Sequence, residues 1–281
     1  MIERSSWKTC RALGAVLGVR SFRRKPERSA EAVRNLQISF PSMNETRALQ
    51  IVRRARQSDM MNICEMLRLR ATSPEEVRDY VQIEGMEHLH DAMKDGRGVV
   101  LATAHFGPYN LMGARLAQEF ALTSLSLGPA GSKMQKHVTA ARQAMKMQIF
   151  SPEGGAWTSV LALRAQGAVC IFADLPGSHS DPIETFLNHT GHIQSNAARL
   201  AMTAACPLVP IFAVRNRPWV SGGKIVLKVC PPLRLEGRTM HNPQDYKAEI
   251  QRATRYGLEA INAIVKQHPD EWHHWHIAQQ L

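Results

Sequence analysis

The stretch ATAHFGPYNL, residues 102–111, contains the first candidate catalytic side chain. His105 directly follows an apolar run that predicts a buried strand, and Gly107 and Pro108 predict a turn into a helix. Asn110 lies five residues beyond His105 and could fold back beside the imidazole. A histidine at the carboxyl end of a strand, held by a neighbour, suits a general base, although a purely structural histidine fits the same position.

Two further residues could take part in chemistry with His105. Asp174 ends the apolar run AVCIFAD and is therefore predicted at the same edge of the sheet. It could bind a polar substrate group or support His105, and a turn cap in DLPGS is the alternative. Arg142 lies on a basic predicted helix with Lys136 and Lys146. Its basic side chains would contact phosphate or an acidic carrier protein, or they would form a solvent-exposed face of the helix.

The elements that must position these residues follow from the order of the sequence patterns. From about residue 79, apolar strand-like runs alternate with helical stretches, which predicts an α/β sandwich with a largely parallel central sheet. The first third is predicted to be mainly helical, with Ser42 and Glu45 as a capping box and Ser73 before Pro74 as a second helix start. We therefore predict an N-terminal helical extension over residues 1–78 and an α/β domain over 79–281, together one structural unit.

Composition and charge limit the function classes. The 281 residues carry a formal net charge of +11, which predicts an acidic partner such as nucleic acid, an anionic membrane or an acidic protein. Only 6% of residues are aromatic and no nucleic-acid-binding motif occurs, so we expect no nucleic acid. The five cysteines form no CxxC pair and are predicted to be reduced thiols. The HxxH pattern at His189–His192 and the HHWH pattern at His273–His276 have no cysteine or carboxylate partners at zinc-ligand spacing. We therefore expect no metal.

The N-terminal residues predict an amphipathic helix and no transmembrane span, because no run of about 18 apolar residues occurs. Such a helix would lie against a membrane surface or pack on the protein body.

Four stretches in order resemble the LpxL/HtrB family of bacterial lipid A biosynthesis (late) acyltransferases, within the lysophospholipid acyltransferase-like superfamily. The resemblance covers about residues 30–276. The stretches are NLQISFPSMNETRALQI, VQIEGMEHLHDAMKDGRGVVLATAHFGPYN, the region GAVCIFADLPG to SNAARLAMTAACPLVPIF with TFLNHTG between, and HPDEWHHWH.

The resemblance implies a fold similar to glycerol-phosphate acyltransferases and acyl transfer at the cytoplasmic face of the membrane. The acyl group would pass from acyl carrier protein, or coenzyme A, to a hydroxyl of a membrane glycolipid. His105 matches the histidine of the family motif, and Arg142 looks like its later basic residue. His105 would then act as the base, with the Gly107 backbone N–H or Arg142 stabilising the oxyanion. No metal or redox cofactor is implied.

The sequence departs from the family pattern in two ways. Asn110 stands where the motif has Asp or Glu. Three hypotheses follow from this difference. Asp174 takes the role of the carboxylate, or the acceptor is a more nucleophilic amine. The third hypothesis is a non-catalytic module that binds an acyl chain or acyl carrier protein. The family's N-terminal membrane span is also missing. We therefore expect a peripheral protein on the cytoplasmic face of the inner membrane, whose acceptor is lipid A-like, a glycerolipid or a secondary metabolite.

Overall fold

A computed structural model of the chain describes residues 2–125, 133–150, 155–235 and 242–280, without the side chains of 125, 133–135, 149–150 and 279. The described helices are α1 Trp7–Arg24, α2 Pro26–Ser39, α3 Glu45–Arg68, α4 Pro74–Tyr80, α5 Met86–Met93, α6 Tyr109–Leu116, α7 Lys133–Ala144, α8 Gly155–Arg164, α9 Asn196–Ala204 and α10 Pro243–Gln267. The described strands are β1 Val81–Glu84, β2 Val99–Thr103, β3 Leu122–Leu125, β4 Gln148–Phe150, β5 Ala168–Phe172, β6 Ile183–Phe186, β7 His189–His192, β8 Leu208–Arg215 and β9 Ile225–Val229.

Seven of the described strands form the central sheet, in the order β1-β9-β8-β2-β5-β3-β4. Every neighbouring pair is parallel except β8 with β9, which is antiparallel. The predicted α/β class with a largely parallel sheet is therefore confirmed. A separate antiparallel hairpin is formed by β6 and β7.

The sheet is covered on both faces, which explains the unbroken apolar runs in its central strands. All residues of β2 and β8 are buried. Along β2, Val99 and Leu101 join one apolar cluster, whereas Val100 and Ala102 join another. Because successive side chains of a strand point to opposite faces, this alternation shows that each face has its own core.

The N-terminal helices pack closely on one another and on the α/β core. A Cβ added at Gly14 of α1 would lie 2.5 Å from the Met61 Cα of α3, and one added at Gly18 would lie 2.4 Å from the Gln57 Cα. The two helix backbones therefore approach too closely for a side chain at either position. Arg11 of α1 donates hydrogen bonds to the carbonyls of Trp219 (2.7 Å) and Gly223 (3.0 Å), which lie between β8 and β9.

Among the described helices, we find none with the length and apolar character needed to span a bilayer.

The helix caps confirm one sequence prediction and correct another. Ser73 caps α4 as predicted, and its hydroxyl accepts the backbone N–H of Glu76. The predicted capping box of Ser42 with Glu45 is wrong, because Asn44 is the cap of α3 and its Oδ1 accepts the backbone N–H of Arg47 at 2.9 Å. Asparagine caps helices at least as well as serine, and Ser42 lies in the turn that follows α2.

Candidate active site

Strand register brings His105 and Asp174 level with each other at the carboxyl edge of the sheet. In the parallel pair of β2 and β5, Thr103 is opposite Phe172. His105 and Asp174 each follow two residues later. The His105 Nδ1 lies 2.9 Å from the Asp174 Oδ1. The carboxylate that the sequence lacks five residues after His105 is therefore supplied by the neighbouring strand.

Asp174 is fully buried and accepts three N–H groups. These are the Nδ1–H of His105, its backbone N–H at 2.8 Å and the indole N–H of Trp272 at 2.9 Å. Burial acts to raise the pKa of Asp174, but the His105 charge and these hydrogen bonds outweigh it and hold the pKa well below its usual range. Asp174 is thus ionised at neutral pH and fixes the proton of His105 on Nδ1. Nε2 remains as the acceptor, and no hydrogen bond from another described residue reaches it.

Aromatic rings hold the His105 imidazole on both faces. Phe172 stacks on it with ring centroids 4.2 Å apart, and His274 stacks with centroids 4.0 Å apart. The edge of Tyr109 completes the surroundings at 5.8 Å. Burial, followed by the charge of His105, lowers the pKa of His274 to about 4, so His274 is neutral at neutral pH.

The C-terminal segment clamps the loop that carries His105. The Gly107 N–H donates to the Glu271 carbonyl at 2.8 Å, and the His273 N–H donates to the His105 carbonyl at 2.9 Å. Gly107 has φ +56°, and a Cβ there would meet the Ala213 carbonyl oxygen at 2.1 Å, which explains the glycine. The prediction that the Gly107 N–H binds the oxyanion does not fit this geometry, because that N–H is already used.

A buried ionic network holds Glu271, and with it the C-terminal segment that contacts the His105 loop. Arg215 of β8 binds Glu271 through its backbone N–H (3.0 Å) and through Nη1 (3.3 Å). Its Nη2 pairs with Glu65 of α3, which also accepts from Arg11 of α1 at 3.2 Å. All four side chains are at most 1% exposed. Breaking such a buried group leaves an uncompensated charge, so the network fixes where residues 271–273 lie.

Asn110 does not lie where the sequence predicted. It is buried, and both its backbone N–H and its Nδ2 donate to the Asn62 Oδ1 of α3, at 3.3 and 3.2 Å. Helix α6 begins at Tyr109 and turns the next side chain toward α3, away from the imidazole. Asn110 therefore links α6 to α3 and makes no hydrogen bond to His105 in the described part of the chain.

Arg142 is set apart from the other basic residues of α7. Its Nε and Nη1 atoms are buried and have no partner among the described residues, whereas Lys136 and Lys146 are exposed. Burial lowers the pKa of Arg142, and Tyr109 and Cys170 act in the opposite direction. Arg142 is thus a buried donor beside Tyr109, which itself contacts His105. The predicted solvent-exposed face therefore includes Lys136 and Lys146 but not Arg142.

His105, Asp174 and His274 each place a possible metal-ligand atom within 4.8 Å of the others. The two histidine rings are stacked at an angle of 24°, so their in-plane lone pairs run side by side and do not converge. Asp174 is already occupied by three donors. We therefore interpret the group as a hydrogen-bonded base and not as a metal centre.

Sequence reasoning missed Trp272, His274, Phe172 and Tyr109. The first two lie in HPDEWHHWH, a stretch quoted for its resemblance but not connected to His105. Phe172 lies two residues before Asp174, and Tyr109 directly precedes Asn110. The sequence therefore places both near the predicted site residues, but it does not show that their rings contact His105.

A histidine–carboxylate pair at the carboxyl edge of a mainly parallel sheet is an arrangement that suits proton abstraction. The model of the family described as bacterial lipid A biosynthesis acyltransferase matches residues 5–279, and the chain belongs to this family. A phosphatidylinositol mannoside acyltransferase of Mycolicibacterium smegmatis (strain ATCC 700084 / mc(2)155) is 21% identical over 214 residues. That alignment covers 74% of this chain and 66% of the relative, slightly less than two thirds of the relative's length. The descriptions of the family and of this relative both name an acyltransferase.

Proposed function

We propose that the protein transfers an acyl group from a thioester of acyl carrier protein, or of coenzyme A, to a hydroxyl or amine of a lipid or glycolipid acceptor. The observation that carries this proposal is the 2.9 Å contact between the His105 Nδ1 and the buried Asp174 carboxylate. It supplies an oriented base in a chain of an acyltransferase family.

In the reaction, the His105 Nε2 takes the proton of the acceptor hydroxyl as its oxygen attacks the thioester carbonyl. The new C–O bond forms a tetrahedral oxyanion, and collapse breaks the C–S bond. The imidazolium then returns the proton to the leaving thiolate. Asp174 stabilises the imidazolium and keeps the proton on Nδ1. With the Gly107 N–H occupied, the Nε and Nη1 of Arg142, which have no partner among the described residues, become the better candidates for oxyanion stabilisation.

The acceptor class is supported by the two comparisons, whose printed names concern lipid A and a phosphatidylinositol mannoside. We propose a membrane lipid or glycolipid, with a secondary metabolite as the alternative. The net charge of +11 supports an acidic carrier protein as the donor.

Contact with an anionic membrane is proposed through α1. Leu13, Val16 and Leu17 are 43, 66 and 38% exposed, whereas Gly14 and Gly18 of the same helix are buried against α3. The exposed Arg20 and Arg23 follow them. Apolar side chains flanked by cations suit a peripheral helix at the cytoplasmic face of the inner membrane.

The direct test incubates the protein with acyl-carrier-protein or acyl-coenzyme A thioesters and a bacterial lipid extract, and detects acylated products by mass spectrometry. We expect products from the wild type and none above background from His105→Ala. The exposed His90→Gln variant is the matched control and should keep wild-type activity. Equal activity of His105→Ala and wild type would reject the mechanism. No product from any form, with acyl carrier protein still bound, would favour the non-catalytic binding module.

A further inference from the structure

A second group of basic side chains lies beside the His105–Asp174 pair. Arg28 of α2 places its Nη2 2.6 Å from the His276 Nε2. His276 lies edge-on to His274, with ring centroids 5.9 Å apart, and His274 stacks on His105. A continuous series of contacts therefore leads from the guanidinium of Arg28 to the proposed base.

Arg56 of α3 joins this group and is only 8% exposed. Its Nη1 is 3.7 Å from the Asp59 Oδ2, a separation beyond hydrogen-bond length. The Asp59 Oδ1 is in turn 3.7 Å from the His273 Nδ1. In the described part of the chain, no hydrogen bond from the Arg56 guanidinium is found. A nearly buried arginine is thus left with unfilled donors beside the active site.

Two more polar atoms of residues in this series of contacts are unfilled. The Nε of Arg28 and the Nδ1 of His274 are both buried without a partner among the described residues. Buried polar groups are almost always hydrogen-bonded, so each exception needs an explanation. An anion accepts several hydrogen bonds at once and would be a suitable partner for arginine donors of this kind.

The charges around the group favour such an anion. Burial lowers the pKa of Arg56, and repulsion from Arg28 lowers it further, so the two guanidinium groups are close. Lys25 adds positive charge, while Asp59 and Glu31 are the acidic groups facing the arginines. Burial raises the pKa of Asp59, which weakens its ability to neutralise them. Among these described groups, the three basic side chains therefore exceed the two acidic ones.

We propose that Arg28 and Arg56 bind a phosphate ester group of a substrate next to His105. Guanidinium groups match the geometry of phosphate oxygens and form charge-assisted bonds with two of them at once. The inference rests on the proposed function only for the identity of the substrate, because phosphate is carried both by the phosphopantetheine arm of the donor and by phospholipid acceptors.

The first test measures binding without activity. Glycerol phosphate, a soluble phosphate monoester, is titrated into the full chain and followed by phosphorus-31 line broadening. We expect the dissociation constant to rise by about tenfold or more in Arg28→Gln and in Arg56→Gln, the loss expected for one charge-assisted contact. Arg53→Gln removes the same charge from an exposed position on α3 and should leave binding unchanged.

Equal binding by the wild type and both variants, or a similar loss in Arg53→Gln, would overturn the proposal. Thermal unfolding checks that the variants fold. If Arg56→Gln does not fold, Arg28→Gln, whose side chain is less buried, carries the test. Arg56→Lys keeps the charge but loses the planar fork and should bind with intermediate affinity.

The second test distinguishes the two sources of phosphate through KM. A rise in KM for acyl-coenzyme A, but not for acyl-pantetheine without phosphate, assigns the site to the donor. A rise for an acidic phospholipid, but not for an uncharged glycolipid, assigns it to the acceptor. Unchanged KM values for all four substrates in both variants would contradict the proposal. Absence of transfer by the wild type would count against the proposed function alone, since the phosphate titration needs no turnover.

Discussion

At the scale of single residues, the proposed base His105 is oriented by the carboxylate of Asp174, which follows the neighbouring strand. Asp174 is tied to the backbone N–H and the Nδ1 of His105, so it fixes both the loop and the ring. The amide of Asn110 is occupied with Asn62 instead. The usual objection to an amide partner, that it cannot stabilise an imidazolium, thus does not apply to this site.

Asp174→Asn should lower kcat by roughly 10³ to 10⁴, the size of effect known for an Asp-to-Asn change behind a catalytic histidine. KM should change little, because Asp174 touches His105 and not the substrate. Steady-state kinetics on lipid vesicles measure both quantities. Asp79→Asn, at an exposed position of α4, is the control. A kcat within a few-fold of the wild type would show that His105 needs no carboxylate.

Asn110→Asp should destabilise the protein and should not raise activity. The new carboxylate would be buried and would face the Asn62 Oδ1, an acceptor that now receives the Asn110 N–H groups. We expect a loss of about 1–3 kcal/mol in the free energy of unfolding, measured with urea. Asn110→Ala, which adds no charge, should cost less. A clear gain in transfer rate would instead place residue 110 on the reaction path.

His105 and Asp174 were predictable because each follows an apolar run long enough to be a central strand. Asn110 was misplaced because sequence distance does not give the direction of a side chain at the first turn of a helix. No sequence pattern indicated that Arg28 and Arg56 lie near His105. Their place beside His105 depends on how α2 and α3 pack against residues 273–276, which are far from both in sequence.

At the scale of elements, residues 273–276 contain three histidines that are held in neutral form. Burial lowers the pKa of His274 to about 4 and of His276 to about 3, and it lowers the pKa of His273 as well. The Ser58 hydroxyl contacts the His273 Nε2 at 3.2 Å, and Arg28 contacts His276. This element therefore depends on histidines that carry no charge.

The fold should lose stability as pH falls from about 6.5 toward 4. A histidine with a lowered pKa in the folded state binds fewer protons than in the unfolded chain, so falling pH favours unfolding. Urea unfolding at pH 7.5 and pH 5.5 should show a drop that is about 1 kcal/mol smaller in His274→Gln than in the wild type. His90→Gln should show the wild-type drop. Identical drops in all three proteins would contradict a buried neutral His274.

Among the elements, the buried parallel strands were predictable because both of their faces are covered and their sequences are continuously apolar. The start of α3 was predicted two residues early, since Ser42 and Asn44 both resemble caps and only the turn after α2 decides between them. The hairpin partner β7 was not predicted, because HTGH has neither apolar alternation nor β-branched enrichment.

At the scale of the whole molecule, the helices before residue 79 are part of the site as much as the sheet is. Helix α3 supplies Ser58 and Glu65 to the network under residues 271–273. Helix α1 reaches the same network through Arg11 and presents its other face outward. One layer thus connects the exposed apolar surface of α1 to the loop of His105.

Replacing Leu13, Val16 and Leu17 together by serine should weaken binding to anionic vesicles by at least about tenfold, because each side chain would otherwise bury apolar area in the interface. Vesicle sedimentation measures the effect. Leu161→Ser, which changes another exposed leucine on α8, should have no effect. Equal vesicle binding by the triple variant would show that α1 is not the membrane-facing helix.

The clamp over His105 also dictates when the site can exist during protein synthesis. Ser58 and His273, which meet under the active-site loop, are separated by 215 residues. A ribosome releases the chain from its N-terminus, so α3, the His105 loop and Asp174 emerge long before Trp272 can donate to the carboxylate. A partly synthesised chain therefore holds the base without its clamp. Prematurely terminated products would therefore lack the C-terminal contacts that hold the His105 loop and Asp174.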